Sequence, residues 1–115
     1  MRAMDLAESI YQLTRRFPKE EMYGLTSQLR RSVTSIALNI AEGSGASSDV
    51  EFNRFLDIAL RSSYETMCGI ELANRLNYCS NTEKDTLLAD CDKVSALIYC
   101  FKKRLKSATK QAVSR

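Results

Sequence analysis

Apolar side chains recur every three or four residues through most of the chain, and this spacing places them on one face of a helix. The first stripe predicts an N-terminal helix, which ends near Pro18 and is followed by a short turn up to Gly24. The next stripe predicts a second helix from about Thr26 to Glu42. The two stripes are Ala3, Leu6, Ile10, Leu13 and Phe17, and Leu25, Leu29, Val33, Ile36 and Ile40.

Two further helices are predicted after the glycine-containing break at residues 43–45. Each begins at a serine followed three residues later by a glutamate, Ser48 with Glu51 and Ser80 with Glu83, which is the pattern of a capping box. The third helix carries two apolar rows, so it buries more than one face. It either lies centrally in a bundle or places its second face against another subunit. The rows are Phe52, Leu56, Ala59, Ser63, Met67 and Ile70, and Phe55, Ile58, Ser62, Gly69, Leu72 and Leu76.

The fourth predicted helix has one apolar stripe at heptad-like spacing, and no segment shows the alternation of a strand. Four helices with short connections favour an all-α fold, an antiparallel up-down-up-down four-helix bundle. We expect one domain over residues 1–115, in which residues 105–115 form a frayed basic tail. The fourth stripe is Leu87, Cys91, Val94, Ile98, Phe101 and Leu105.

A row of small or amide side chains lies beside the apolar stripe of the second helix, about 100° round its axis. Two interpretations stay open for this polar row. It lets a neighbouring helix approach closely and share hydrogen bonds, or it forms a polar binding groove. Packing is favoured because buried polar groups usually have partners. The row is Gln28, Ser32, Ser35 and Asn39.

Composition is that of an ordinary globular protein. One proline and four glycines in 115 residues leave few chain breaks, which favours long helices. No apolar run approaches the length of about 20 residues that a membrane span needs, and the N-terminus lacks the apolar stretch of a signal peptide. We therefore expect a cytoplasmic protein with no membrane partner.

Several histidine-dependent kinds of catalysis are excluded because the chain has no histidine. Ser/His/Asp and Cys/His catalysis both need an imidazole, and so does the Glu-x-x-His pattern of di-iron bundles. Glu42 and Glu65, on consecutive helices, are the remaining candidates for a carboxylate pair, although acids are usually solvated or ion-paired. The turn at residues 43–45 is too short for a phosphate-binding loop. The sequence predicts that the protein is not an enzyme.

The four cysteines show no C-x-x-C spacing and have no histidine to complete a zinc site. In a reducing compartment such residues usually pack as small hydrophobes, which is favoured here over a redox or metal role. We expect no metal and no cofactor. The cysteines are Cys68, Cys79, Cys91 and Cys100.

Charge is distributed unevenly, although the net charge is only +3. Seven basic residues and no acid follow Asp92, whereas residues 1–92 contain ten basic and fourteen acidic residues. Such asymmetry is typical of an acidic body with a basic arm. Three explanations compete: cations complement the helix dipole, keep the end of the chain in solution, or bind phosphates. The predicted phosphate contacts are Lys102, Lys103, Arg104, Lys106 and Lys110, with Arg30 and Arg31 in support.

Aromatic residues are not interleaved with the basic residues of the arm, so the arm lacks the stacking platform that single-strand binders use. The pairs Arg15–Arg16 and Arg30–Arg31 also fit an ordinary solvated helix face. The missing platform counts against phosphate binding among the three explanations of the arm, and a solvated face is favoured for each arginine pair.

Several blocks of sequence resemble one known family. They include EMYGLTSQLRR at residues 21–31 and SIALNIAEG at residues 35–43, and matches continue to Tyr78. The chain resembles the four-helix-bundle family whose members include proteins encoded in intervening sequences of bacterial 23S ribosomal RNA genes. The resemblance implies a left-handed bundle that assembles as a ring-like homopentamer. The accessory protein of diversity-generating retroelements is distantly similar, and it binds reverse transcriptase and nucleic acid through a basic surface.

Two positions depart from the family pattern. The small residue often found before the matching Ser62 is Arg61, which argues against close helix or subunit packing at that point. The glycine before the matching Tyr78 is Asn77, and asparagine also tolerates the left-handed conformation that a helix end needs. The family supplies no agreed catalytic residues.

The sequence thus predicts a non-enzymatic homo-oligomer that associates with RNA or DNA through its basic arm. The alternative is a protein-interaction scaffold, which docks a protein partner on its acidic body or polar row without contacting nucleic acid. The subunit number of five is implied by the resemblance alone.

Overall fold

The computed structural model describes the backbone of residues 2–114 and the side chains of residues 2–106. Four α-helices and one short 3-10 helix account for the regular structure within these residues, and no strand occurs among them. The all-α prediction is confirmed. The elements are α1 (Arg2–Thr14), the 3-10 helix (Lys19–Glu21), α2 (Leu25–Ser44), α3 (Asp49–Arg75) and α4 (Asn81–Ser114).

Consecutive helices pack side by side, and α1 also contacts α4. The hydrogen bonds between α2 and α3 join Ser32 to Thr66 and Ser35 to Ser62, so the residue number rises along one helix as it falls along the other. The contacts of α3 with α4 run in the same opposed sense, from Ser63–Ser95 to Asp57–Lys102. These pairings produce the predicted up-down-up-down bundle.

The core is built from the predicted apolar stripes. Burial of each large aliphatic side chain contributes roughly 1.5–3 kcal/mol, which gives the bundle its main stabilisation. Ile40, Phe101 and Leu105 are only partly buried against this core. The fully buried large side chains include Leu6, Ile10, Leu29, Ile36, Leu56, Ile70 and Ile98.

The first apolar row of α3 is largely buried, and the second is buried over only part of its length. Ser62 is buried and Phe55 is half-buried, whereas Leu72 and Leu76 are 46% and 43% exposed. Because α3 packs against both α2 and α4, its central position accounts for most of the two rows. The exposed part of the second row lies outside that explanation.

Small and hydroxyl side chains bring α2 and α3 close together. Ser32 and Thr66 hydroxyls lie 2.8 Å apart, and the Ser62 hydroxyl donates to Ser35 Oγ at 2.8 Å. A Cβ atom at Gly69 would lie 2.6 Å from Leu29 Cδ2, so any larger residue at this position would force the Leu29 side chain to move. The packing interpretation of the polar row is therefore confirmed for its two serines.

Both predicted helix starts are confirmed. The Ser48 hydroxyl accepts a hydrogen bond from the Glu51 backbone N–H at 3.1 Å, and that of Ser80 accepts from Glu83 at the same distance. In the second case the Glu83 carboxylate also accepts from the Ser80 N–H, which completes a reciprocal capping box.

The end of α3 is closed by a left-handed residue. Asn77 has φ 62°, its N–H donates to the Asn74 carbonyl at 3.0 Å, and the Tyr78 N–H donates to the Ala73 carbonyl at 2.8 Å. This pattern is a Schellman motif, which usually takes glycine but admits asparagine. The expectation for Asn77 is therefore confirmed.

Candidate nucleic-acid interface

The basic arm begins with a lysine that is engaged within the chain. The Lys102 ammonium forms an ion pair with Asp57 of α3 and donates to Asn53 Oδ1 at 2.9 Å. Its side chain is 23% exposed. Because Asp57 offsets the lysine charge, Lys102 is less available to phosphate than the sequence analysis expected.

The next three cations of the arm are exposed. Lys103, Arg104 and Lys106 form no ion pair with any side chain that the structure describes. Positions 103 and 106 lie one turn apart and share a side of α4, whereas position 104 is about 100° round the axis from position 103. Lys110 lies outside the described side chains. Over the described side chains these three cations are the exposed part of the basic arm.

The supporting arginines lie away from the arm. Arg30 contacts α1, whereas Lys102 contacts α3, and α2 makes no contact with α4 over the described residues. The two helices are therefore diagonal in the bundle. The residues predicted as one interface form two separate basic regions.

A groove surrounds Arg30 and Arg31 on the outer side of α2. Its volume is about 590 Å³, within the range of roughly 300–1,000 Å³ that is common for ligand sites. We call it the tyrosine–arginine groove. Its lining residues are Tyr11, Met22, Tyr23, Thr26, Ser27, Arg30, Arg31, Thr34, Ser35, Leu38 and Asn39.

Arg30 is held in place from two directions. Its Nε donates to the Thr14 hydroxyl at 2.9 Å, and its guanidinium lies 4.8 Å from the centre of the Tyr11 ring. Thr14 is itself fixed, since its hydroxyl donates to the Ile10 carbonyl at 2.8 Å. The guanidinium is thus stacked and oriented by α1.

Tyr23 is 93% exposed and follows the 3-10 helix. The segment that carries it is secured by the Glu21 carboxylate, which accepts from the Leu25 N–H at 3.1 Å and from the Tyr78 hydroxyl at 2.9 Å. Donation to this carboxylate raises the pKa of Tyr78. The Tyr78 ring packs 5.2 Å from that of Phe17. The exposed tyrosine therefore stands on a fixed segment of backbone.

The sequence analysis missed both tyrosines of the groove. Tyr11 follows the buried Ile10 and so lies off the apolar stripe of α1, while Tyr23 precedes a glycine in the turn. Aromatic residues displaced from a core stripe were the available signal. Their proximity to Arg30 depends on the pairing of α1 with α2, which the pattern of a single helix does not contain.

The candidate carboxylate pair does not share a site. Glu42 and Glu65 are both exposed. Glu65 adjoins Thr66, which bonds to Ser32, and ten residues of α2 separate that level from Glu42. At 1.5 Å per residue the separation along the bundle is about 15 Å. No metal-ligand cluster of three or more cysteine or acidic side chains occurs within the described residues.

The cysteines divide into two groups. Cys79 and Cys91 are buried, as packing predicts, and burial raises the pKa of both thiols, that of Cys91 to about 12. Cys68 and Cys100 are exposed, so the prediction of core packing is wrong for these two. Their exposure follows from the position of each on the outer side of its helix.

The outer faces of α3 and α4 meet at an exposed pair of tyrosines. The hydroxyls of Tyr64 and Tyr99 lie 2.6 Å apart, and this hydrogen bond raises the pKa of Tyr64. Arg61, one turn away on α3, is also exposed. It therefore leaves helix packing within the bundle undisturbed at the position where the family usually has a small residue.

The comparisons with known proteins agree with this architecture. Within residues 2–114 no helix combines the length and apolar character that a membrane span requires. No curated protein matches the sequence at a significant level. A crystal structure of a protein with unknown function from the S23 ribosomal protein family of Bacteroides thetaiotaomicron aligns with a TM-score of 0.82 and 27% identity, over 89% of this chain and 95% of that chain. A model of the 23S rRNA-intervening sequence protein matches residues 1–100, and the chain accordingly belongs to that family.

Proposed function

We propose that this protein is a non-enzymatic, homo-oligomeric, RNA-associated protein whose basic arm contacts phosphates. The observation that carries the proposal is the exposed cluster of Lys103, Arg104 and Lys106 in a segment that contains no acid after Asp92. Cations in such a cluster displace the counterions of a nucleic acid when they bind its phosphates. RNA is the nucleic acid that we propose, since the family name links its members to the intervening sequences of 23S ribosomal RNA.

Self-association is supported by apolar side chains that the bundle leaves exposed on α3. Tyr64 and Leu72, two turns apart on α3, and Leu76 at its C-terminal cap are 48%, 46% and 43% exposed. A second copy that covered them would remove apolar surface from water. In a ring of identical subunits the basic arm is repeated, so weak contacts combine through effective concentration. The homopentamer implied by the family resemblance is part of this proposal.

The test is RNA binding by the full chain across a salt series. We expect the triple variant Lys103→Gln/Arg104→Gln/Lys106→Gln to bind RNA at least about ten-fold more weakly at low salt. Each lost phosphate contact reduces the slope of log affinity against log salt by about 0.7–0.9, so the slope falls by about two. Equal affinity and equal slope in the variant and the native chain would contradict the arm's role.

A matched control neutralises three exposed cations elsewhere. Arg15, Lys19 and Arg75 lie at the end of α1, in the 3-10 helix and at the end of α3. The variant Arg15→Gln/Lys19→Gln/Arg75→Gln has the same net charge as the arm variant. We expect it to retain most of the native affinity, which separates a located contact from a general effect of charge.

The second candidate function is a scaffold for a protein partner. The exposed apolar residues of α3 favour it as much as they favour self-association. Absence of RNA binding even at low salt, together with a stoichiometric protein partner retained after nuclease treatment, would support the scaffold and overturn the RNA proposal.

A further inference from the structure

We propose that the tyrosine–arginine groove binds a single-stranded segment of RNA, with a base stacked on Tyr23 and phosphates contacted by Arg30 and Arg31. The inference rests on the proposed function for the class of ligand. The site itself is separate from the basic arm, which lies on the diagonal helix. The two regions thus make different contributions, and they are tested apart.

The chemistry of the groove suits an anionic ligand with flat rings. Its lining contains two arginines and two tyrosines and includes no acid among the described residues. Proteins that bind single strands combine a basic groove, which follows the backbone, with aromatic side chains on which bases stack. The Thr34 hydroxyl adds hydrogen-bonding capacity along one side, whereas the Ser35 hydroxyl already accepts from Asn39 and Ser62.

Arg30 is prepared for a phosphate before any ligand arrives. Thr14 occupies only its Nε, and no other hydrogen bond of the guanidinium to a described residue is found. An arginine side chain carries five N–H groups, and the two terminal amino groups are those that bind phosphate oxygens in pairs. Because Tyr11 and Thr14 already fix its orientation, less conformational entropy is lost on binding.

Tyr23 has no role in the core that would explain it. Its 93% exposure means that the fold gains almost nothing from burying the ring. The backbone on either side is nevertheless fixed, since Glu21 ties the segment to the first turn of α2 and to Tyr78. An exposed ring on a fixed backbone offers a stacking surface at low entropic cost.

A single strand fits this groove better than a duplex. In an A-form helix the bases are stacked on one another, and the deep, narrow major groove does not admit side chains. Tyr23 therefore finds a free base only in a loop, bulge or unpaired end. The basic arm contacts phosphates, which both forms of RNA present equally.

The same exposed side chains would also suit a second copy of the chain. Met22 and Leu38, 55% and 59% exposed, are apolar residues of a kind found at protein interfaces. The pair of arginines without acidic neighbours in the lining favours an anionic ligand over another apolar surface. RNA is accordingly the occupant that we assign, and subunit contact is one outcome of the test.

The experiment compares a labelled 12-nucleotide RNA single strand with a duplex of the same length, using the full chain. We expect Tyr23→Ala to weaken single-strand binding by about five-fold or more, as loss of base stacking does. Duplex binding should change by less than two-fold. Tyr23→Phe retains a ring and should bind as the native chain does, whereas the arm variant should lose affinity for both forms.

A second measurement locates the contact. The chain has five tyrosines and no tryptophan, so intrinsic emission reports on tyrosine. Quenching by the single strand should be smaller in Tyr23→Phe than in the native chain, although the two bind equally. Equal quenching in both would show that the base does not stack at position 23.

The outcomes separate the two proposals. If Tyr23→Ala binds the single strand normally while the arm variant does not, the groove inference is wrong and the proposed function stands. If the native chain binds neither RNA at low salt, both are wrong. If Tyr23→Ala changes the oligomeric mass by light scattering and weakens both RNAs alike, the groove is a subunit contact and the inference is again wrong.

Discussion

Polar side chains on the two sides of α2 differ in whether they are hydrogen-bonded within the chain or exposed. On the side that faces α3, Ser32 and Ser35 bond to Thr66 and Ser62, and all four hydroxyls have partners within the chain. On the outer side, Arg31 is exposed and Arg30 uses one nitrogen to bond Thr14. Leu38, on that same side, is 59% exposed, whereas Leu29 on the inner side is 1% exposed.

This difference distinguishes structural polar groups from available ones. No buried side-chain nitrogen or oxygen of the described residues lacks a hydrogen-bond partner. Each buried hydroxyl needs a hydrogen-bond partner, because a buried hydroxyl without one costs about 1–3 kcal/mol of stability. The arginine donors on the outer side of α2 face water, so they cost no free energy when they lack a protein partner. The stability of the fold therefore does not depend on them. They are therefore the better candidates for binding a ligand.

The largest expected effect on stability is that of Leu29→Ala. Leu29 packs against Gly69 between α2 and α3, and truncation of such a core leucine costs about 2–5 kcal/mol. The matched variant Leu38→Ala removes the same atoms from the outer side and should change the free energy of unfolding by less than about 0.5 kcal/mol. Urea denaturation measures both.

Similar losses in the two leucine variants would contradict the comparison. They would mean that Leu38 is covered in solution, which only self-association or a bound partner achieves. Dilution of the sample distinguishes these cases, because the stability of an oligomer depends on protein concentration.

The hydroxyl pair between α2 and α3 gives a smaller effect. Thr66→Val removes one of the two hydrogen-bond partners of the buried Ser32 hydroxyl, which still donates to the Leu29 carbonyl, and we expect a loss of about 1 kcal/mol. The double variant Ser32→Ala/Thr66→Val removes both polar groups and should cost less than the sum of the two single variants. A double-mutant cycle by urea denaturation measures this coupling. Additive losses would show that the hydroxyls contribute independently.

The sequence contained enough information for the inner side of α2 and too little for the outer side. Apolar spacing predicts a core stripe, and Ser48, Ser80 and Asn77 mark helix ends, because each depends on neighbours within a few residues of sequence. The tyrosine–arginine groove needs Tyr11 of α1 beside Arg30 of α2, which is a contact between elements. The periodicity of a helix predicts which of its faces is buried. It does not predict how far each helix is rotated relative to its neighbour, and that rotation determines which outer residues come into contact.

The basic arm illustrates the same point through charge. A count along the sequence treats Lys102 and Lys103 alike. In the folded chain Lys102 is paired with Asp57, 45 positions earlier, whereas Lys103 is exposed. A run of basic residues therefore predicts the presence of an electropositive surface, while the acids of the neighbouring helix decide which members contribute to it.

A small effect on stability is expected for Thr14→Val, at a residue that links the inner core to the outer groove. Thr14 is 3% exposed, but its hydroxyl is the group that orients Arg30. Arg30 is partly exposed and can bond to water instead, so we expect a loss of under about 1 kcal/mol. Thr14→Ser keeps the hydroxyl and is the control for both stability and binding.

Thr14→Val should affect single-strand RNA binding more than it affects the free energy of unfolding. If Arg30 contacts phosphate from a fixed position, Thr14→Val weakens single-strand binding by about two- to five-fold, because ordering the arginine then occurs on binding. The salt slope should stay the same, since no charge is removed. Arg30→Gln should lower both affinity and slope. If Thr14→Val binds the single strand with native affinity, the hydrogen bond from Arg30 to Thr14 contributes nothing to binding. The groove then requires the charge of Arg30 but no fixed orientation of its side chain.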